Sequence, residues 1–371
     1  MAPENPDLMS LPLELKREII FHLDLSSLKN IRLVHKSLNE ASSFKFCRYM
    51  VHLRSVAVSY TLPSIHRLVD ISNHSHYSTH VRSLRVEMDG LLRPDGPISH
   101  AILSGAFTML LAHALGNLTE CTRIQVACDP NSYRHYTGPR EDLLVHASTL
   151  LSAVVGAVII SRTPLKVLKC GSLFNDLAFP TSLLGSFIAF PGFSAAATHL
   201  TDLELKMSIL EQAEFRDTKA NVLADFLALI PSLEDLSIDL AGDSKDHNTS
   251  LDLLQSVFAN TTLPSLQTLA IHTPFRPAQL RVFLFRHRET VRNLHVYPRS
   301  MQDCCANTLK PLLRSICDDL SLRNLCFSIN SQCYCNGTAH SGKVEFRFNV
   351  QTRLQVKRKI ASQIREDLGH H

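Results

Sequence analysis

The sequence has few glycines and lacks the glycine-rich motifs with which many enzymes hold phosphate groups. Only 13 of its 371 residues are glycine, so the backbone can approach a phosphate closely at few positions. Gly-x-Ser-x-Gly, His-Glu-x-x-His and the protein-kinase signature are also absent. These absences argue against a serine hydrolase, a zinc protease and a nucleotide-dependent enzyme. We therefore expect a non-catalytic protein without catalytic residues or a cofactor.

The sequence also lacks a strong charge of either sign and a long apolar run. Lys and Arg exceed Asp and Glu by 38 to 34, and residues 343–371 account for that surplus with seven basic and three acidic residues. This balance argues against a general nucleic-acid binder or an anionic-membrane binder. The longest stretches without Asp, Glu, Lys or Arg, 97–119 and 177–201, are interrupted by histidine, asparagine or proline. We expect them to be buried segments of a globular protein and not membrane spans.

The N-terminal residues do not form a recognisable secretory signal, and the sequence contains ten cysteines. Without such a signal we expect reduced thiols and a cytoplasmic or nuclear protein. Cys304 and Cys305 are adjacent, and Cys333 and Cys335 are separated by one residue. Structural zinc sites usually use cysteines two to four positions apart. The sequence therefore predicts no metal site.

The first forty residues contain more aliphatic side chains than so short a segment can bury by itself. Leu11, Leu15, Ile19 and Leu23 recur every four residues and form one apolar stripe of a predicted helix. Ser10 is its predicted N-cap, with Pro12 in its first turn, and Asp24 or Ser26 is expected to cap a second helix. A third helix is predicted after residue 34. We expect part of this surface to bind another molecule.

The pattern Leu11-Pro12-x-Glu14, Ile19-Ile20, Leu23, Leu28 and Arg32-Leu33-Val34-x-Lys36-x-Leu38 resembles an F-box over residues 8–50. F-boxes bind the Skp-type adaptor of cullin-based ubiquitin ligases, so the resemblance implies this adaptor, and through it a cullin, as partners. The residues that it assigns to the adaptor contact are Leu11, Pro12, Leu15, Ile19, Ile20, Leu23, Leu28, Ile31, Leu33 and Val34. An N-terminal helical cap on a larger fold is the alternative.

A short strand pattern recurs eight times after this segment. Its form is an apolar residue, two variable residues, Leu or Ile, one variable residue and a further apolar residue. The central residues are Leu84, Ile124, Leu168, Leu203, Leu236, Leu269, Leu294 and Leu325. Helical patterns lie between the strands, as at 221–233, 250–260 and 277–291. The fold class is therefore α/β, and the array resembles the degenerate leucine-rich repeats of fungal F-box proteins.

The resemblance implies an N-terminal three-helix F-box (8–50), an irregular leucine-rich-repeat-like solenoid (51–342) and a C-terminal cap (343–371). A first strand at 46–53 and a helix at 64–72 would open the solenoid. A last strand at 343–350 and a basic helix at 356–368 would close it. A doubly wound α/β enzyme is an alternative, but no phosphate-binding glycine loop follows the first strand.

The resemblance implies a substrate-recognition subunit of a Skp–cullin–F-box ubiquitin ligase, in which the repeat region binds a target protein. The long connection 128–141 mixes aromatic and cationic groups suited to a polar partner. The residues with which we expect it to contact the target are Tyr133, Arg134, His135, Tyr136 and Arg140. An unstructured insertion is the alternative for this segment. The alternative for the whole chain is a non-catalytic repeat scaffold unrelated to ubiquitin transfer.

Overall fold

The N-terminal region of the protein consists of three helices. The computed structural model describes residues 8–49, 54–88, 105–128, 140–171, 178–208, 221–241, 247–297, 306–335 and 338–349. After a 3-10 turn (Leu8–Ser10) come helices α1 (Leu13–Phe21), α2 (Leu25–Val34) and α3 (Lys36–Tyr49). The predicted three N-terminal helices are thus confirmed.

The rest of the described chain alternates strands and helices. Its first half contains β1 (Ser55–Ser59), α4 (Leu62–Asn73), α5 (Ser75–Ser78), β2 (Ser83–Met88), α6 (Ala106–Asn117), β3 (Arg123–Cys128), α7 (Arg140–Ser161), β4 (Val167–Cys170), β5 (Phe179–Pro180), α8 (Ser182–Ala189) and α9 (Phe193–Ala197). Its second half contains β6 (Asp202–Ser208), α10 (Val222–Ala228), β7 (Asp235–Ala241), α11 (His247–Asn260), β8 (Thr268–Ile271), α12 (Pro277–Arg286), β9 (Asn293–Val296), α13 (Ala306–Asp319), β10 (Asn324–Cys335) and β11 (Thr338–Asn349). The predicted α/β class is confirmed.

The strands form one sheet whose order follows the chain, with β1 at one edge and β11 at the other. Neighbouring strands are parallel, except that β10 and β11 form an antiparallel pair, while the short β5 pairs with β6 beside this path. The central residues of the predicted strand pattern lie directly opposite one another in adjacent strands. This central row runs through Val56, Leu84, Ile124, Leu168, Leu203, Leu236, Leu269, Leu294 and Leu325. All eight predicted strands are therefore confirmed in one common register.

Only one face of this sheet is apolar. The central row from Leu84 to Leu325 and the row two residues further along are buried, and both belong to one core with the buried side chains of helices α4 and α6 to α13. The residues between these two rows are mostly polar and partly exposed. In a doubly wound sheet both faces are covered, and the strand order reverses at a switch point. Neither feature occurs in the described sheet, so the structure does not favour that alternative.

The first strand after the helices was predicted in the wrong place. Residues 46–49 of the predicted strand 46–53 continue α3, and β1 begins only at Ser55. Phe46 packs beside the small core of the N-terminal helices, so tertiary packing keeps this apolar stretch helical. The helix predicted at 64–72 is confirmed as α4, and those at 221–233, 250–260 and 277–291 as α10, α11 and α12.

Of the predicted C-terminal strand and helix, only the strand lies within the described residues. The strand expected at 343–350 is confirmed within β11, which begins at Thr338 and pairs with β10 as a hairpin. The basic helix expected at 356–368 lies outside the described residues.

Helix α7 is longer than the other described helices, and its apolar side chains are distributed around all sides of the helix. Its segment Leu144–Ser161 is long and apolar enough to cross a membrane, but 56% of it is buried within the protein. Ala147, Leu151, Val154 and Val158 belong to the main core. Core helices of globular proteins have the same composition, so we assign α7 to the interior of the fold.

Candidate functional site

The three N-terminal helices have a small core of their own. It consists of the buried residues Ile20, Leu28, Leu38 and Ala41 and is separate from the main core beneath the sheet. Leu23 and Ile31 pack against it and are partly buried. Ile20 and Leu28 are among the ten residues assigned to adaptor contact, but their side chains are 1% and 0% exposed. They hold the helices together and cannot offer a contact surface in this arrangement.

Other apolar side chains of the same helices point to solvent. We call them the N-terminal apolar surface: Leu13, Leu15, Ile19, Phe21, Leu33 and Val34. They are half of the twelve large apolar residues that are exposed in the described chain. Leu33 and Val34 are 86% and 71% exposed. Scattered exposed apolar residues are ordinary, but such a concentration in one short unit is typical of a binding surface.

The sequence pattern identified most but not all of this surface. Leu15, Ile19, Leu33 and Val34 are exposed as a contact surface requires, as is Pro12. Leu11, Leu23 and Ile31 are partly buried. Leu13 and Phe21 were not predicted, because they belong neither to the four-residue stripe nor to the F-box-like pattern.

Hydrogen bonds at the helix ends fix the orientation of this surface. The Asp24 carboxylate caps α2 by accepting the Ser27 backbone N–H at 2.8 Å. This contact with Ser27 lowers the pKa of Asp24, so the cap is ionised at neutral pH. The Lys45 ammonium donates to the carbonyl oxygens of Phe21 and Leu23, where α1 ends. Helix α1 begins at Leu13 with Pro12 as its N-cap, so the prediction that Ser10 caps it is wrong.

Arg32 connects the N-terminal helices to the sheet region. Its Nη2 donates to the Tyr77 hydroxyl at 2.6 Å, and its guanidinium lies 4.0 Å from the centre of the Phe46 ring. The Tyr77 ring in turn stacks on His74, with 4.1 Å between ring centres. Arg32 lies one position before Leu33, so this contact holds the exposed end of α2 against the rest of the protein.

The face of the sheet opposite the main core carries charged pairs. The Lys169 ammonium lies 2.9 Å from the Glu204 carboxylate on the adjacent strand of the described sheet path. The Arg85 guanidinium lies 2.8 Å from the Glu87 carboxylate on the same strand. Burial raises the pKa of the nearby Asp202 carboxyl, with the Lys169 charge acting in the opposite direction. Within each of these partly exposed pairs, the positive and the negative charge neutralise each other.

The same face becomes uncharged toward β10. Asn324 donates to Asn293 Oδ1 at 2.8 Å, and Asn293 donates to Thr268 Oγ1 at 3.0 Å, which links three adjacent strands. Further along these strands the rings of His272 and Tyr297 stack with 5.5 Å between their centres. This polar ladder was not predicted, because its members occupy variable positions of the strand pattern and become neighbours only through the register.

The predicted target-binding residues cannot be placed as a group. Tyr133, Arg134, His135 and Tyr136 lie outside the described residues, and Arg140 is the first residue of α7. The contact that they were predicted to make stays a prediction.

No group of three or more His, Cys, Asp or Glu side chains within the described part of the chain could hold a metal ion. Cys304 and Cys305 lie outside that part. An apolar cavity of about 20 Å³ lies between α7 and α9, lined among others by Val154 and Phe193. That space is about the size of one water molecule and offers no polar group, so we assign it to imperfect packing.

Comparison with protein-family models found no match, and a search of curated proteins found none either.

Proposed function

We propose that this chain is the substrate-recognition subunit of a Skp–cullin–F-box type ubiquitin ligase. Its N-terminal helices bind the Skp-type adaptor, and its sheet region binds a target protein in the cytoplasm or nucleus. The chain acts by positioning: it raises the effective concentration of target lysines near the ubiquitin-charged enzyme and carries out no bond chemistry of its own.

The observation that carries this proposal is the exposure of apolar side chains within the F-box-like segment. Leu15, Ile19, Leu33 and Val34 belong both to the F-box-like pattern and to the N-terminal apolar surface. Burying a fully exposed side chain of this kind contributes about 1.5–3 kcal/mol, and Leu33 and Val34 are the most exposed of the four. The adaptor therefore gains most of its affinity from these residues, while Ile20 and Leu28 keep the helices in place.

The separation of the two cores also supports the proposal. A binding unit with its own small core can present its surface without disturbing the sheet. Arg32, which contacts Phe46 within the unit, orients the unit through its hydrogen bond to Tyr77 on α5. In the proposed complex this connection fixes the target relative to the adaptor. A flexible connection would give less control over which lysines are reached.

We further propose that the sheet region is a leucine-rich-repeat-like solenoid. Sequential parallel strands, one common register and a helical layer on one face are what a stack of strand–helix units requires. Each unit buries its apolar face only by stacking on its neighbours. The polar face of the sheet then remains available for the target.

The test is direct binding of the purified full chain to a purified Skp-type adaptor by isothermal titration calorimetry. Leu33→Ala with Val34→Ala should weaken binding at least about tenfold, since the two truncations remove more than 1.4 kcal/mol of apolar burial. The control is Val282→Ala with Phe285→Ala, which truncates two apolar residues on α12 that are 57% and 52% exposed.

The urea midpoint of each variant should stay close to that of the unchanged protein, because all four side chains are exposed. Failure of the unchanged protein to bind the adaptor would overturn the proposal and leave the scaffold alternative. An equal loss in the control variant would show that the assigned contacts are wrong.

A further inference from the structure

The structure brings several cations together at the edge of the sheet where its first parallel strands begin. Arg54, Arg82 and Lys166 directly precede β1, β2 and β4, and all three are exposed. We call these three residues the basic strip. At the start of β3 the same position is held by Thr122, followed by the exposed Arg123.

Backbone hydrogen bonds show that the strip is continuous. The Arg82 N–H donates to the Arg54 carbonyl at 3.0 Å, and the Thr122 N–H donates to the Arg82 carbonyl at 3.2 Å. The Lys166 N–H donates to the Thr122 carbonyl at 2.8 Å. These residues therefore follow one another at the spacing of sheet strands, and the basic strip extends over about 14 Å.

Cations of the same strands differ sharply in their pairing. Arg85 and Lys169, three residues further along β2 and β4, form ion pairs with Glu87 and Glu204. Arg54, Arg82 and Lys166 make no side-chain hydrogen bond or ion pair within the described structure. Among the described residues of β2 and β4, the cations on the sheet face are thus paired with carboxylates, whereas the cations of the basic strip are not.

The segments leading into these strands contain one acid, Glu120. Arg123 lies beside the strip at the first position of β3, and its charge interacts with that of Asp202 at the first position of β6. Like charges on neighbouring strands repel one another and disfavour the fold. A bound anion would relieve that repulsion.

We propose that the basic strip binds an extended acidic peptide segment of a partner protein. A strip of about 14 Å matches about four residues of extended chain, which could place two or three carboxylates or phosphates against it. Charge of this kind steers an acidic partner and selects against basic ones. The inference does not depend on adaptor binding, because it concerns a different surface of the chain.

The test uses fluorescence anisotropy with the purified full chain and labelled 12-residue peptides. One peptide is rich in glutamate, a second carries phosphoserines at matched net charge, and a third carries lysines. We expect the anionic peptides to bind and the lysine peptide not to bind. The affinity should fall as salt rises, since the Debye length is about 10 Å at 0.1 M salt. The tighter of the two anionic peptides identifies carboxylate or phosphate as the preferred anion.

The decisive variant is Arg54→Ala with Arg82→Ala and Lys166→Ala. It should weaken binding at least about threefold, because each exposed ion pair contributes a factor of about 1.4 to 5. The matched control is Arg67→Ala with Arg85→Ala and Lys169→Ala, which removes the same charge from α4, β2 and β4 and should change the affinity less than about twofold.

Equal weakening by the control would overturn the proposal, as would a lack of binding by both anionic peptides. Tighter binding of a single-stranded oligonucleotide of equal charge would also overturn it in favour of nucleic acid. Loss of adaptor binding in a separate titration would leave this proposal untouched, so the two can fail independently.

Discussion

Acidification should destabilise the protein through one buried histidine. His287 lies at the end of α12 with 3% of its surface exposed. Its Nδ1 donates to the Phe283 carbonyl at 2.8 Å, and its Nε2 accepts the Leu263 backbone N–H at 2.9 Å. These partners require the neutral ring, since a protonated ring has no acceptor for the Leu263 N–H. Burial lowers the pKa of His287, the Phe283 contact opposes that change, and the charge of Arg286 adds to it.

The direction of the pH effect follows from where the proton is taken up. The unfolded chain binds it near the ordinary histidine pKa of about 6.5, and the folded chain binds it only at lower pH. Between these two values the unfolded state holds more protons, so the free energy of unfolding falls as the pH falls. The slope for this one group is at most about 1.4 kcal/mol per pH unit.

His287→Leu isolates the contribution of the ring. Above pH 7 it leaves the buried Leu263 N–H without an acceptor, which should cost about 1–3 kcal/mol. Urea denaturation of both proteins from about pH 8 down to about pH 5 gives the difference between their unfolding free energies. That difference should be largest at neutral pH and shrink below about pH 6.5. A difference in unfolding free energy that does not change with pH would refute the reasoning. Other histidines, such as the partly buried His295, are present in both proteins, so their contributions to the difference cancel.

Two further predictions concern the core. Burial raises the pKa of Cys121 to about 11 and that of Cys170 to about 12. Neither thiol should therefore react with iodoacetamide at pH 8 until urea unfolds the protein. Labelling of either thiol in the native protein, detected by mass spectrometry, would contradict its buried position. Leu236→Ala in the central row should lower the free energy of unfolding by about 2–5 kcal/mol, as measured by urea denaturation. Ser237→Ala on the polar face should lower it by less than about 0.5 kcal/mol. Similar losses in the two variants would argue against the assigned faces of the sheet.

The strand register could be predicted because each strand carries its own apolar signal. Leu84 and Leu294 are 210 residues apart in the sequence, yet both lie in the central row. Alternation of apolar and polar residues determines which side chains turn inward, and a shift by one residue would expose them. The first strand was misplaced because residues 46–49 satisfy a strand pattern locally while Phe46 packs beside the N-terminal core. The two-residue β5 is too short to give a periodic signal.

The exposed and buried sides of α1 could not be told apart from periodicity alone. Ile19 and Ile20 are adjacent and equally apolar, but Ile19 faces solvent and Ile20 faces α2 and α3. Only the packing of the three helices decides between them.

The basic strip could not be predicted from the sequence either, since Arg82 and Lys166 occupy variable positions that are 84 residues apart in the sequence. The parallel register brings them to the same edge.

The connections between strands vary in length without disturbing the central row. Leu269 and Leu294 are 25 residues apart, whereas Ile124 and Leu168 are 44 apart, and each pair is directly opposed. Spacing along the chain and alignment across the sheet are thus decoupled. A connecting segment can lengthen or shorten at modest entropic cost while the strands on either side stay aligned. Such an architecture can acquire new surface features through insertions and keep its framework intact.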